Sequence, residues 1–156
     1  MDLAVLPFTE QEAAAMCSWH YPAPYNVYDC PDWKTVHLQN WAMTNAELRQ
    51  KEFYAVYAQE EFVGFFRLRQ QEESILIGLG LRPDCCGQGM GKQLLALVLN
   101  TAQTRFPSIS LQMEVRSFNQ RAIRCYEQAG FRVVQKYRRK TAAGMTKFLR
   151  MEYVGQ

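Results

Sequence analysis

Between Ser74 and Val115 the chain passes through an apolar strand-like run, a glycine-rich turn, a leucine-rich helix and a second strand-like run. This order constrains the fold more than any other feature of the sequence. "SILIGLGL" (74–81) is apolar on both faces, as a central strand is. After the glycines, Leu94, Leu95, Val98, Ala102 and Phe106 recur at helical spacing, and Pro107 ends that helix. "ISLQMEV" (109–115) alternates, with Ile109, Leu111, Met113 and Val115 on one side and Ser110, Gln112 and Glu114 on the other. Two strands joined by a helix lie parallel. Central parallel strands are normally covered on both faces, so Glu114 marks either a cleft or a buried ion pair.

The flanking sequence supplies the remaining elements. Residues 2–6 read as a short first strand, and Thr9, with Glu12 three residues on, opens a helix to about Trp19. "WHYPAPYNVYDCPDW" (19–33), rich in proline and aromatic residues, reads as a loop, followed by a second helix from about Asp32 to Leu48. "EFYAVYAQ" (52–59) and "EFVGFFRLRQ" (61–70) form a hairpin. Asn119 caps the helix "QRAIRCYEQA", Gly130 stops it, and Phe131–Lys140 and Met145–Val154 finish as two strands around "TAAG". The sum is an α+β chain with a mixed sheet of about seven strands, read as one domain over residues 1–156.

Composition narrows the function. A net charge of +3 is spread too thinly for a nucleic-acid surface, and "KYRRK" (136–140) reads first as a solvated strand end, with a patch for phosphate or an acidic ligand as its alternative. Five cysteines form no CxxC pair and no even framework, which points to free thiols in a reducing, cytoplasmic setting. The longest apolar runs are too short to cross a bilayer, and two histidines without ligand spacing give no metal site.

Gly87, Gly89 and Gly91 stand directly before the leucine-rich helix. A strand, a glycine-rich turn and a helix N-terminus make an anion site, because unpaired backbone N–H groups and the positive end of the helix dipole converge there. Two phosphate motifs fail on spacing: GxxxxGK[ST] meets Cys86 and Gln93, and GxGxxG meets Lys92. "CGQGMG" (86–91) instead resembles the pyrophosphate loop of the GNAT superfamily of acetyl-coenzyme A-dependent N-acetyltransferases, with Cys86 where Gln or Arg is usual. "MEVRSFNQRAIRCYEQAGF" (113–131) is similar to the second half of that superfamily's coenzyme site, especially in the ribosomal-protein alanine N-acetyltransferases. With Val63, Gly64 and "LGLRPD" (79–84) the resemblance spans about residues 50–135 and is weak before residue 50.

The resemblance implies a central mixed, twisted sheet flanked by helices on both faces, and acetyl transfer to a primary amine in a ternary complex. It implies acetyl-coenzyme A as cosubstrate, no metal, and neither nucleic acid nor membrane as partner; a homodimer is compatible with it. By resemblance, the backbone of Leu79, Gly80 and Leu81 pairs with the pantetheine arm, and Gly87, Gln88, Gly89, Met90, Gly91 and Lys92 wrap the pyrophosphate. Asn119 contacts the coenzyme, while also being placed to cap its helix.

Tyr126 is the expected general acid, since a phenol with pKa near 10 can protonate a thiolate whose acid has pKa near 8.5 only when positioned by the fold. Its bland reading is an aromatic filling the helix–sheet interface. Glu114 is the expected base, directly or through a water, and otherwise an ion-pair partner of Arg116 or Arg67; Glu72, Glu73 and bulk water are the alternatives. Cys86 and Cys125 lack a neighbouring histidine, which favours direct transfer over an acyl-cysteine. Trp19, Tyr21, Tyr25, Tyr28, Trp33 and Trp41 either cap the sheet or wall an acceptor pocket. Three functions stay open: acetylation of a protein N-terminus, acetylation of a small-molecule amine, and a non-catalytic acyl-coenzyme A sensor.

Overall fold

A computed structural model describes residues 2–155; Met1 and Gln156, the ends of the expected domain, lie outside the described residues. In chain order the elements are β1 (Ala4–Pro7), α1 (Glu10–Met16), α2 (Trp33–Leu38), α3 (Ala46–Glu52), β2 (Phe53–Ala58), β3 (Glu61–Gln70), β4 (Ser74–Leu81), α4 (Met90–Arg105), β5 (Ser110–Arg116), α5 (Gln120–Ala129), β6 (Phe131–Thr141) and β7 (Gly144–Tyr153). The seven strands hydrogen-bond in the order β1-β2-β3-β4-β5-β7-β6. β4 and β5 are parallel from Ser74 opposite Ser110 to Ile77 opposite Met113, whereas β5–β7 and β6–β7 are antiparallel, so the sheet is mixed as the sequence predicts. Among the described residues no helix is long and apolar enough to cross a membrane.

The chain forms two compact units, one of Met1–Arg67 with Leu79–Gln88, the other of Leu68–Gly78 with Gly89–Gln156. In the first, Thr9 and Glu12 close a reciprocal capping box at the start of α1. Glu12 is buried there because Oε1 accepts from the Thr9 N–H and hydroxyl at 2.8 Å and Oε2 accepts from the Tyr57 hydroxyl at 3.0 Å. The single helix expected from Asp32 to Leu48 is corrected to two, α2 and α3. Asn40 takes a left-handed φ of 55°, and Asn45 starts afresh by accepting from the Leu48 N–H at 2.9 Å. Asn tolerates the first conformation and serves the second, so the break is written in two asparagines. The core of this unit gathers Phe8, Met16, Trp19, Val36, Met43 and Phe53.

In the second unit, α4 buries Leu94, Leu95, Val98 and Ala102, and β5 buries Leu111, Met113 and Val115, the alternate positions read from the sequence. Gly130 ends α5 at φ 111°, and a Cβ there would meet the Gly155 backbone at 2.9 Å, so both conformation and space require glycine. β6 and β7 pair along their length, with a shift between Val133 and Gln135 that leaves Val134 bulged. The bulge reverses the facing of everything beyond it: Gln135 lies opposite Arg150 and Tyr137 opposite Phe148.

Candidate active site

Gly87 and Gly89 take φ of 75° and 79°, where an L side chain is strained, and a Cβ built on either would meet nothing within 4 Å. Crowding therefore does not explain these glycines. Gly89 is the N-cap of α4 and offers no side-chain oxygen, so among the described residues the first N–H groups of a 16-residue helix lack a side-chain cap. Just ahead of it, Gln88 donates from Nε2 to the Asp84 carbonyl at 2.8 Å, and Arg82 donates from Nε to Asp84 Oδ1 at 2.6 Å. Met90 turns inward and is buried, while Lys92 in the first turn is exposed. Amides without a side-chain cap, on a helix dipole beside a lysine, suit an anionic guest.

α5 begins differently. Asn119 is buried, and its side-chain oxygen accepts from the Ala122 N–H at 3.1 Å, which fulfils the capping role read from the sequence. Tyr126, half-buried on this helix, has its ring centroid 6.3 Å from that of Phe131. The ring packs at the helix–sheet interface, and the residue is not sealed away from solvent.

Glu114 lies on the polar row of β5 with its side chain 19% exposed. Arg139 clasps it from both sides, donating from Nη2 to Oε1 at 2.7 Å and from Nε to Oε2 at 3.1 Å, and the Tyr137 hydroxyl also donates to Oε2. Burial pushes the carboxyl up, but the hydrogen bonds from Arg139 and Tyr137 and the charges of Arg139 and Arg150 outweigh it, so the group is held below its ordinary range. Burial and the neighbouring carboxylate push the Tyr137 phenol up, keeping it a neutral donor.

The expected ion-pair partners need correcting. Arg67 pairs with Glu52 at 2.7 Å, the guanidinium of Arg116 stands over the Phe148 ring at 5.5 Å, and Glu114 takes Arg139 instead. Tyr137, Arg139 and Arg150 were not singled out from sequence, although every second residue of "YRR" carries the signal. What could not be read was the bulge that turns Tyr137 and Arg139 toward Glu114. Arg150 donates to the Tyr137 oxygen at 3.4 Å, and its buried Nε has no partner among the described residues.

The other candidates fall in place as follows. Leu79, Gly80 and Leu81 close β4; a Cβ on Gly80 would meet the Phe65 ring at 2.7 Å, so packing alone accounts for that glycine. The Leu81 carbonyl accepts from the Tyr21 hydroxyl at 2.6 Å, and burial pushes that phenol's pKa up, so it stays a neutral donor. Glu72 and Glu73 sit exposed in the bend before β4. Trp19 is buried against Phe62, with centroids 5.1 Å apart, which is the sheet-capping role, while Tyr28 and Trp41 remain 38% and 37% exposed. All five cysteines are free thiols, and burial raises the pKa of Cys125.

A family model described as "Acetyltransferase (GNAT) family" matches residues 13–131. Among solved structures, the ribosomal-protein-S18-alanine N-acetyltransferase from Escherichia coli aligns at 17% identity with a TM-score of 0.70, covering 97% of this chain and 93% of that one. A spermidine N-acetyltransferase chimera from Vibrio cholerae and hSSAT aligns at 17% identity with a TM-score of 0.73, covering 98% and 95%. An aminoglycoside acetyltransferase in complex with coenzyme A aligns at 20% identity with a TM-score of 0.70, covering 96% and 94%. No curated protein matches the chain in sequence.

Proposed function

The chain belongs to the GNAT family of acetyltransferases, and from that premise we propose that it acts as one domain in the cytoplasm, moving an acetyl group from acetyl-coenzyme A to the α-amine of a peptide or protein. The observation that carries the coenzyme reading is the start of α4, where left-handed glycines open uncapped amides to solvent. Gly87, Gln88, Gly89, Met90, Gly91 and Lys92 hold the diphosphate, Leu79, Gly80 and Leu81 hold the pantetheine arm, and Asn119 contacts the coenzyme. The Leu81 N–H steadies the thioester carbonyl, and Tyr126 returns a proton to the departing sulfur.

Glu114 supports the choice of an α-amine. A carboxylate has about four acceptor sites, and Arg139 and Tyr137 take three, leaving one on Oε1. A carboxylate so held is a weak base and serves only an amine that is already partly neutral. At pH 7.5 about a quarter of an α-amine with pKa near 8 is neutral, against about one in a thousand for a Lys-type amine near 10.4. Glu114 takes the remaining proton directly or through a water.

The exposed rings of Tyr28 and Trp41 favour a second reading, a cationic small molecule such as a polyamine or amino sugar held over aromatic faces. Incubation with acetyl-coenzyme A and a mixed panel of peptides, polyamines and aminoglycosides, read by mass spectrometry, separates the two. Acetylated peptide N-termini are expected; product only on small amines selects the second reading, and bound coenzyme without any product rejects both.

A further inference from the structure

The hairpin of β6 and β7 concentrates charge that acetyl transfer does not use. Seven Lys and Arg and no acid lie between Phe131 and Met151; the whole chain carries +3, so the remainder carries +3 minus +7, or −4. Two of the seven are engaged, Arg139 with Glu114 and Arg150 with Tyr137, and a third, Arg132, faces the acidic Glu152 across the ladder. The other four share one face. The register sets Lys136 opposite Leu149, Arg138 opposite Lys147 and Lys140 opposite Met145, and paired or alternate side chains project together.

All four cations are exposed, and no ion pair reaches them among the described residues. Arg138 and Lys147 stand directly across from each other, a like-charge arrangement that works against the hairpin's own stability. Between them runs a groove of about 330 Å³ whose lining includes Ser117, Lys136, Arg138, Lys147 and Leu149. β6 is the outermost strand of the sheet, so its far side carries main-chain donors and acceptors without a neighbouring strand.

We propose that this free edge and cationic face dock an extended acidic segment of a partner polypeptide, the main chain pairing along β6 and its carboxylates meeting Lys136, Arg138, Lys140 and Lys147. Edge lysines repel a second copy of the same hairpin yet leave the edge open to a strand of opposite sign. Leu149 and Met145, the latter 69% exposed, give the segment apolar contact between the charges. Nucleic acid fits less well: the aromatic residues that line the groove, Tyr137 and Phe148, stack on each other and already carry the guanidinium groups of Arg150 and Arg139 over their rings, so they are poor platforms for bases.

The test is fluorescence anisotropy with a labelled peptide of alternating Glu and Val, its Lys-for-Glu counterpart, and a single-stranded oligoribonucleotide of equal charge. The acidic peptide is expected to bind, more weakly as salt rises, and K136E/R138E to weaken it by about ten-fold or more. R138E alone sets an acid opposite Lys147, so its Tm should equal or exceed that of the unaltered chain, and coenzyme A affinity in both variants should stay unchanged. K136Q/R138Q should shift affinity in the same direction by less. No binding of the acidic peptide at low salt, unchanged affinity in K136E/R138E, or equal or tighter binding of the oligoribonucleotide overturns the proposal.

Discussion

Two helices of the second unit follow two strands, and they start in opposite ways. α5 is closed by its own chain, with the Asn119 oxygen on the Ala122 N–H, while α4 starts at Gly89, left-handed and without any side chain to cap it. A chain that can cap one helix with asparagine has the means to cap the other. Leaving α4 bare forgoes about 1 kcal/mol of capping and accepts the conformational entropy of the glycines. The difference supports reading the α4 start as a seat for an outside anion, while the α5 start serves the fold itself.

Substitutions at the two starts should therefore fail in different currencies. The largest effect is expected at α4: G89D sets a carboxylate and a strained φ where the diphosphate belongs, and coenzyme affinity should fall by about 100-fold or more while Tm moves little. Calorimetric titration measures this, and retained affinity would erase the contrast. Next, Y126F should lower turnover by about 100-fold with coenzyme affinity intact, read from steady-state rates beside the same titration. An unchanged rate would leave Tyr126 as packing against Phe131 alone.

At the α5 start the losses should be structural. N119A should cost about 1 kcal/mol, or about 2–4 °C in Tm, and more in stability than in coenzyme affinity. A loss of binding as deep as that of G89D would make the two starts alike.

The smallest effect tests Glu114. Its carboxyl is held below its ordinary value of 4.5, so its ion pair stabilises the fold fully above that pH and is lost as pH falls through the lower folded value. E114Q should thus be less stable than the unaltered chain by about 1 kcal/mol at pH 7, with the gap closing as pH falls below 4.5. Urea midpoints at both pH values check this, and a gap that stays constant would show the ion pair to be idle.

What could be read from sequence follows from how local each signal is. The capping box at Thr9, the Asn119 cap and the Gly130 stop rest on residues a few positions apart, and the parallel pair β4–β5 on two strand runs with one helix between them; the structure has all four where the pattern sets them. The break between α2 and α3 was legible in Asn40 and Asn45 only to a reader who doubted the helix. The partners of Glu114 were out of reach, because one bulged residue, Val134, decides which face Tyr137 and Arg139 occupy. The absence of a side chain at Gly80 could not be explained from sequence, because it answers to the Phe65 ring, which comes from another strand.

The most direct test of the bare helix start is a calorimetric comparison of coenzyme A with pantetheine, which keeps the thiol arm and lacks the diphosphate. The account predicts that pantetheine binds at least about 100-fold more weakly, and that G89D brings coenzyme A down to the pantetheine level. Equal affinities for the two ligands, or a G89D chain that still prefers coenzyme A, would contradict it.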